Sequence, residues 1–240
     1  MYCNCDITPS TNVWDCHDVK DAAAYYNRGI AKRHLKQYWA AVEDFDQAIR
    51  LEPKDAAAYY NRGNANYCLE QYRAAVEDYD QAIRLDPEDA AAYNNRGLAK
   101  DDLEQYQAAV EDFDQAIRLD PEYAAAYNNR GIAKSHLEQY RAAVEDYDQA
   151  IRLDPGDAAA YRNRGLAKIR LEQYRAAVED FDRAIRLDPK DATAYHGRGV
   201  AKEKLKCIDE ARSDFQTARR LAREAGAEKL AAIISREVNQ

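Results

Sequence analysis

The chain has 240 residues, 46% apolar and 32% charged, and its 35 basic and 43 acidic side chains leave a net charge of -8. That is the composition of an ordered protein with enough apolar content for a core, and it offers no global basic field to release counterions from nucleic acid, so neither DNA nor RNA is an expected partner. Apolar runs such as Leu230 to Ile234 fall far short of the ~20 residues that cross a bilayer, so no membrane span is expected.

Residues 1–21 read as an irregular N-terminal arm. They carry Asp6, Asp15 and Asp18 with neither a cationic leader nor an apolar stretch, so no secretory signal is read there. Pro9, Ser10, Thr11 and Asn12 mark a loop, and Trp14 is the arm's large anchor. Cys3, Cys5, Cys16 and His17 are zinc-competent, yet structural sites usually space their ligand pairs by two to four residues, so incidental thiols are the reading and no metal or cofactor is expected. Five cysteines, with Cys68 and Cys207 far apart, give no disulfide framework and fit a reducing compartment, so the expected location is cytoplasmic.

From residue 22 the chain repeats itself. Gly29, Gly63, Gly97, Gly131, Gly165 and Gly199 recur every 34 residues, in register with Tyr25, Tyr59, Tyr93, Tyr127, Tyr161 and Tyr195. Six units follow, at 22–55, 56–89, 90–123, 124–157, 158–191 and 192–225. Each shows helical spacing twice, in the first unit over Ala22 to Leu35 and from about Trp39 to Leu51, and Pro53 and its equivalents stop the second helix. Asp21, Asp55, Asp89, Asp157 and Asp191 can cap the next first helix, and Tyr123 breaks that rule. Gly29, Ala41 and Ala48 allow close helix approach, and Tyr25, Tyr38 and Phe45 fill the space left, each worth roughly 2 kcal/mol of burial.

The last unit departs from the pattern, with Ile208 where the others have Tyr and Arg223 where they have Pro, so its second helix can run on toward Gly226. Ala227, Leu230, Ala231, Ile234 and Val238 then form one apolar stripe, and residues 226–240 read as a capping helix and tail. At the other end repeat one has no such cover. Either Trp14 folds back onto it, or that face pairs with a second copy to make a homodimer.

An aromatic at unit position 4, Gly at 8, Ala at 20, Phe or Tyr at 24, Ala at 27 and Pro at 32 resemble the tetratricopeptide repeat, in a bacterial-type array over residues 22–225. The resemblance implies an all-α, right-handed solenoid of six helix-turn-helix units whose first helices line a concave groove. Two positions depart from the family: Arg28 stands where an aliphatic residue is usual, and Lys32 where Tyr is frequent. An arginine at a helix interface needs a charged partner, so Arg28 is expected to bridge to Asp44 and Arg62 to Asp78.

Positions 5, 9, 12 and 13 vary between units and share one face of the first helix, which makes them the candidate binding surface. Position 5 is Tyr26, Tyr60, Asn94, Asn128, Arg162 and His196, and position 12 includes Arg33, Tyr67 and Asp101. With Asn64 and Arg170, the face grades from aromatic through polar and acidic to mostly basic, a gradient that can fix a peptide's direction. Beside it runs a constant row, Asn27, Asn61, Asn95, Asn129 and Asn163. The resemblance implies that these amides hold an extended backbone, while a strictly repeated residue is equally explained as a tie between helices. About three extended residues per repeat would match a ligand of roughly 10 to 15 residues. Family receptors for chaperone tails clamp a carboxylate with three basic residues, whose places are taken here by Tyr60, Ala125 and Asn129, so that ligand is disfavoured.

Cys68, Asp102 and His136 share position 13, but neighbouring first helices lie ~8 to 10 Å apart, so the outer pair cannot share an ion or a proton path. Glu43, Asp44 and Asp46 read as a solvated acidic face rather than a calcium loop. No phosphate-cradling glycine loop occurs, and no enzyme is expected. The sequence therefore points to a protein-interaction adaptor or scaffold holding a peptide or protein segment in its groove. The alternatives are a self-associating structural protein and a non-catalytic regulatory subunit of a separately encoded enzyme.

Overall fold

A computed structural model describes residues 21–228 and 231–234. Their helices come in pairs: α1 (Ala22–His34) with α2 (Tyr38–Leu51), α3 (Ala56–Cys68) with α4 (Tyr72–Leu85), α5 (Ala90–Asp102) with α6 (Tyr106–Leu119), α7 (Ala124–His136) with α8 (Tyr140–Leu153), α9 (Ala158–Arg170) with α10 (Tyr174–Leu187), and α11 (Ala192–Lys204) with α12 (Ile208–Glu224). No strand occurs among the described residues. Each helix packs on its neighbours in sequence, and successive first helices also touch one another, so the odd-numbered helices form the concave side of an α-solenoid.

The starts and stops follow from local chemistry. Asp21, Asp55, Asp89, Asp157 and Asp191 accept a hydrogen bond from a backbone amide in the first turn of the helix that follows, and Tyr123 makes no side-chain cap to α7. Each first helix ends in a tight left-handed turn on a residue other than glycine: Lys36, Glu70, Glu104, Glu138, Glu172 and Lys206 have φ between 58° and 67°. At Glu104 the Gln105 amide reaches Lys100 O and the Glu104 amide reaches Asp101 O, both at 2.9 Å, the crossed pair of a Schellman turn.

Packing explains the glycine at position 8. A Cβ on Gly97 would lie 2.7 Å from Phe113 Cε1, so α5 rests directly on the ring that α6 presents. Phe45, Phe113 and Phe181, with Tyr79 and Tyr147 in the same place in repeats two and four, are fully buried between alanines such as Ala41, Ala75 and Ala109. After α12, Gly226 takes φ 70° and residues 231–234 are helical, with Ile234 buried against Ala211, Phe215 and Ala218 of repeat six. Leu230 and Val238 of the expected stripe, and Trp14, Cys3, Cys5, Cys16 and His17 of the arm, lie outside the described residues.

The unusual arginine and lysine form a ladder through the solenoid. Arg28 donates to Asp44 through Nε (2.8 Å) and Nη2 (2.6 Å), and Arg62 pairs with Asp78 in the same way, as the sequence predicts. The second Nη of each later arginine reaches back one repeat: Arg96 to Asp80, Arg164 to Asp148 and Arg198 to Asp182 at 2.6 Å, and Arg62 to Asp46 and Arg130 to Asp114 at 2.5 Å. Each guanidinium also lies 5.2–5.5 Å from the ring centroid of the tyrosine three residues earlier. Lys32, Lys100, Lys134, Lys168 and Lys202 complete the buried aspartate's shell. This corrects the reading of Asp44 and Asp46 as a solvated face: Asp44 is buried under Arg28 and Lys32, and Asp46 is bound by the next repeat.

One rung differs. In repeat two Asn66 replaces the lysine and donates to Asp78 Oδ2 at 2.8 Å. Burial disfavours ionisation of both aspartates. For Asp44 the bonds from Arg28 and Lys32 outweigh it and hold the carboxyl below the usual range, whereas Asp78, with a neutral amide for the lysine, is pushed up.

Candidate functional site

The inner face is built from one side of the odd-numbered helices, and the first thing found there is a chain of ties. Asn61 donates to Tyr26 Oη (3.1 Å) and to Ala57 O (2.9 Å), and Asn95 to Tyr60 Oη and Asn64 Oδ1 (both 3.0 Å). Asn129 donates to Asn94 Oδ1 (3.0 Å) and Asn163 to Asn128 Oδ1 (3.1 Å). The constant asparagine row thus spends amide hydrogens on position 5 of the preceding repeat, and Asn61 and Asn94 are buried. Asn27, in the first repeat, is exposed.

Positions 12 and 13 also bridge repeats. Tyr67 Oη donates to Asp102 Oδ2 at 2.6 Å, and burial, reinforced by that bond, pushes the phenol up. His136 Nδ1 lies 3.2 Å from Asp101 Oδ1; burial raises the Asp101 carboxyl and His136 opposes the rise. The His136 ring stands 4.6 Å from that of Tyr106. Arg33 Nε is buried without an acceptor among the described residues. At the far end Arg162 pairs with Asp191 at 2.9 Å, so its charge is compensated, and the His196 ring lies tilted to that of Phe215 with centroids 5.8 Å apart.

Between α7, α9 and α11 the face opens into a cavity of about 420 Å³. Ile132, Leu166, Ile169 and Val200 give it apolar walls, Tyr140 and Tyr147 lie on its α8 side, and Ser135, His136, Asn163, Arg170, His196 and Gly197 supply its polar and open edge. Of the predicted site residues it gathers Asn163, Arg170 and His196; Tyr26, Tyr60 and Tyr67 lie on earlier helices. The aliphatic walls are not evident from the sequence because position 9 carries the polar Asn64 as well as Ile132, Leu166 and Val200. Tyr140 was missed because it is constant and so read as framework. The C-terminal third of the groove is therefore better described as an apolar cavity with Arg170 at its edge. Burial pushes the Tyr147 phenol up to about 12, and its hydroxyl bonds Ser135 at 3.2 Å, so it is a wall group that stays protonated. Among the described residues no group of three His, Cys, Asp or Glu is placed to hold a metal, and no helix is long and apolar enough to cross a membrane.

Comparison with known proteins agrees with this architecture. No curated protein matches the chain. Among solved structures it is similar to YrrB, described as a repeat protein with an unusual peptide-binding site, at 26% identity over 75% of this chain and 92% of that one, with a TM-score of 0.63. It is similar to MamA at 26% identity over 71% and 93%, with a TM-score of 0.64. Pseudomonas aeruginosa PilF, 18% identical over 90% and 97% with a TM-score of 0.75, shares the fold. One tetratricopeptide-repeat profile matches residues 22–55, 56–89, 90–123 and 124–157 in turn, and a second matches 147–196. With the helix pairs, the glycine contacts and these matches in one register, the chain belongs to the tetratricopeptide-repeat family.

Proposed function

We propose that this protein is a non-catalytic adaptor that holds an extended peptide or protein segment along its concave face. The observation that carries the reading is the apolar-walled cavity among α7, α9 and α11, where Leu166 stays 37% exposed on a face otherwise closed by interhelical ties. A contiguous apolar recess edged by hydrogen-bonding groups is what a ligand site needs. The likeness to YrrB, whose description names a peptide-binding site, supports it. A reducing compartment such as the cytoplasm suits Cys68 and Cys207, both exposed free thiols.

The test is to pan a random library of twelve-residue peptides against the full chain and to follow amide hydrogen exchange with the best binder. Slowed exchange on α5, α7, α9 and α11 is expected. Protection confined to the even-numbered helices or to either end would sink the reading.

A second reading, self-association through the first repeat, is favoured by Leu35 and Trp39, which are 69% and 63% exposed. Leu69, Leu103, Leu137, Leu171 and Leu205, at the position of Leu35, are half-buried. Sedimentation over a hundredfold concentration range separates the two: a mass that doubles, and returns to monomer in Trp39→Glu, supports association.

A further inference from the structure

We infer that the cavity between α7, α9 and α11 selects a segment carrying one bulky apolar side chain with a carboxylate within two residues of it, the side chain entering the cavity and the carboxylate pairing with Arg170. The inference rests on the concave-face reading above and adds the chemistry of the ligand.

The cavity lies where the ties stop. At the earlier junctions an asparagine at position 6 donates across to the preceding first helix. In repeat six that position is Gly197, and a Cβ there would collide with the Phe181 ring, so no side chain can cross. Arg162, which stands where an asparagine acceptor stands in repeats three and four, turns to Asp191 instead. The cleft between α9 and α11 is thereby left without a bridging amide, and Leu166, Ile169 and Val200 face it. Apolar walls of this kind gain by accepting an apolar side chain and not a polar one.

Charge supplies the second element. The arginines at position 7 from Arg62 onward are each held by two aspartates. Arg170, on the cavity edge, forms no ion pair among the described residues and stacks 4.9 Å over the Tyr140 ring. Stacking fixes the guanidinium plane and leaves its N–H edge available, the geometry a carboxylate binds in bidentate fashion. Two other groups at that edge are already engaged. His136 faces Asp101, and Asn163 is committed to Asn128.

The experiment repeats the peptide selection on the full chain and on Arg170→Glu, with Arg170→Gln as a second variant and equal helicity checked by circular dichroism. Peptides enriched on the wild type are expected to carry Leu, Ile, Phe or Met with Asp or Glu within two residues. Replacing that acid by Lys should weaken binding about fivefold or more in fluorescence anisotropy, and Arg170→Glu should reverse the preference. Enriched peptides that slow exchange on the odd-numbered helices but lack this signature, or that bind Arg170→Glu and Arg170→Gln unchanged, overturn the inference and leave the concave-face reading standing. If no peptide is enriched above an unrelated helical protein, both fall.

Discussion

Arg96 and Asp80 stand in different repeats, and the 2.6 Å bond from Arg96 Nη1 to Asp80 Oδ1 is the outer half of a two-armed clamp whose inner half is Asp112. The two aspartates lie at equal sequence distances either side of the arginine, 16 residues each way, and differ in burial: the Asp80 side chain is 44% exposed and that of Asp112 is 5% exposed. Asp112→Asn, which leaves Arg96 and Lys100 without their buried counter-charge, is expected to cost about 3–5 kcal/mol, and Asp80→Asn less than about 1 kcal/mol. Urea denaturation of both variants checks the contrast, and equal losses would refute it.

Repeat two offers a gain. Asn66→Lys gives Asp78 the lysine that Asp112, Asp146, Asp180 and Asp214 already have. The Asp78 carboxyl, now raised by burial, should fall, and the chain should become about 1 kcal/mol more stable at pH 7. The sign follows from proton binding. A raised folded pKa means stability is lost as pH rises from about 4 through that pKa, and the substitution removes this loss. The advantage of Asn66→Lys should therefore be present at neutral pH and shrink as pH falls through about 4, vanishing once Asp78 is protonated in the folded variant as well. Thermal melts at both pH values decide it.

At the left-handed turns, Glu104→Gly relieves a side chain at φ 59° and should stabilise by up to about 1 kcal/mol despite the added freedom of the unfolded chain. A melting temperature lowered by this substitution would count against a strained turn.

Gly97→Ala should do the reverse. Its methyl would meet the Phe113 ring at 2.7 Å, wedging α5 from α6 at a cost of about 1–3 kcal/mol. The same replacement at Gly156, where the contact is the free end of Asp154 at 3.2 Å, should cost less.

Periodicity made the helix pairs legible, because one glycine and one proline per unit leave little choice of boundary. The Arg28–Asp44 pair was legible too, since a charge at a helix interface demands its opposite. The reach of Arg62 back to Asp46 was not read, because positions within a unit say which residues are equivalent and not which copy of an aspartate an arginine touches. A signal is present: Asp46, Asp80, Asp114, Asp148 and Asp182 are constant, and repeat six has Gln216 in that place. The asparagine row illustrates the opposite difficulty, as a residue fixed by framework and one fixed by ligand leave the same constant column. The cavity walls were hidden for a third reason: Ile, Leu and Val on a helix are indistinguishable from core until the neighbour that would cover them is known.

The clamp also gives the array a direction. Arg28 has no second aspartate partner among the described residues and a side chain 57% exposed, while in repeat six Gln216 stands where the five internal junctions place a carboxylate. Units this alike would otherwise be interchangeable, and a second molecule's first repeat could dock on the last repeat as if it were the seventh. With an uncharged amide at that position and Ile234 lying over the same repeat, a head-to-tail junction there would lack the outer half of the clamp that holds the internal ones.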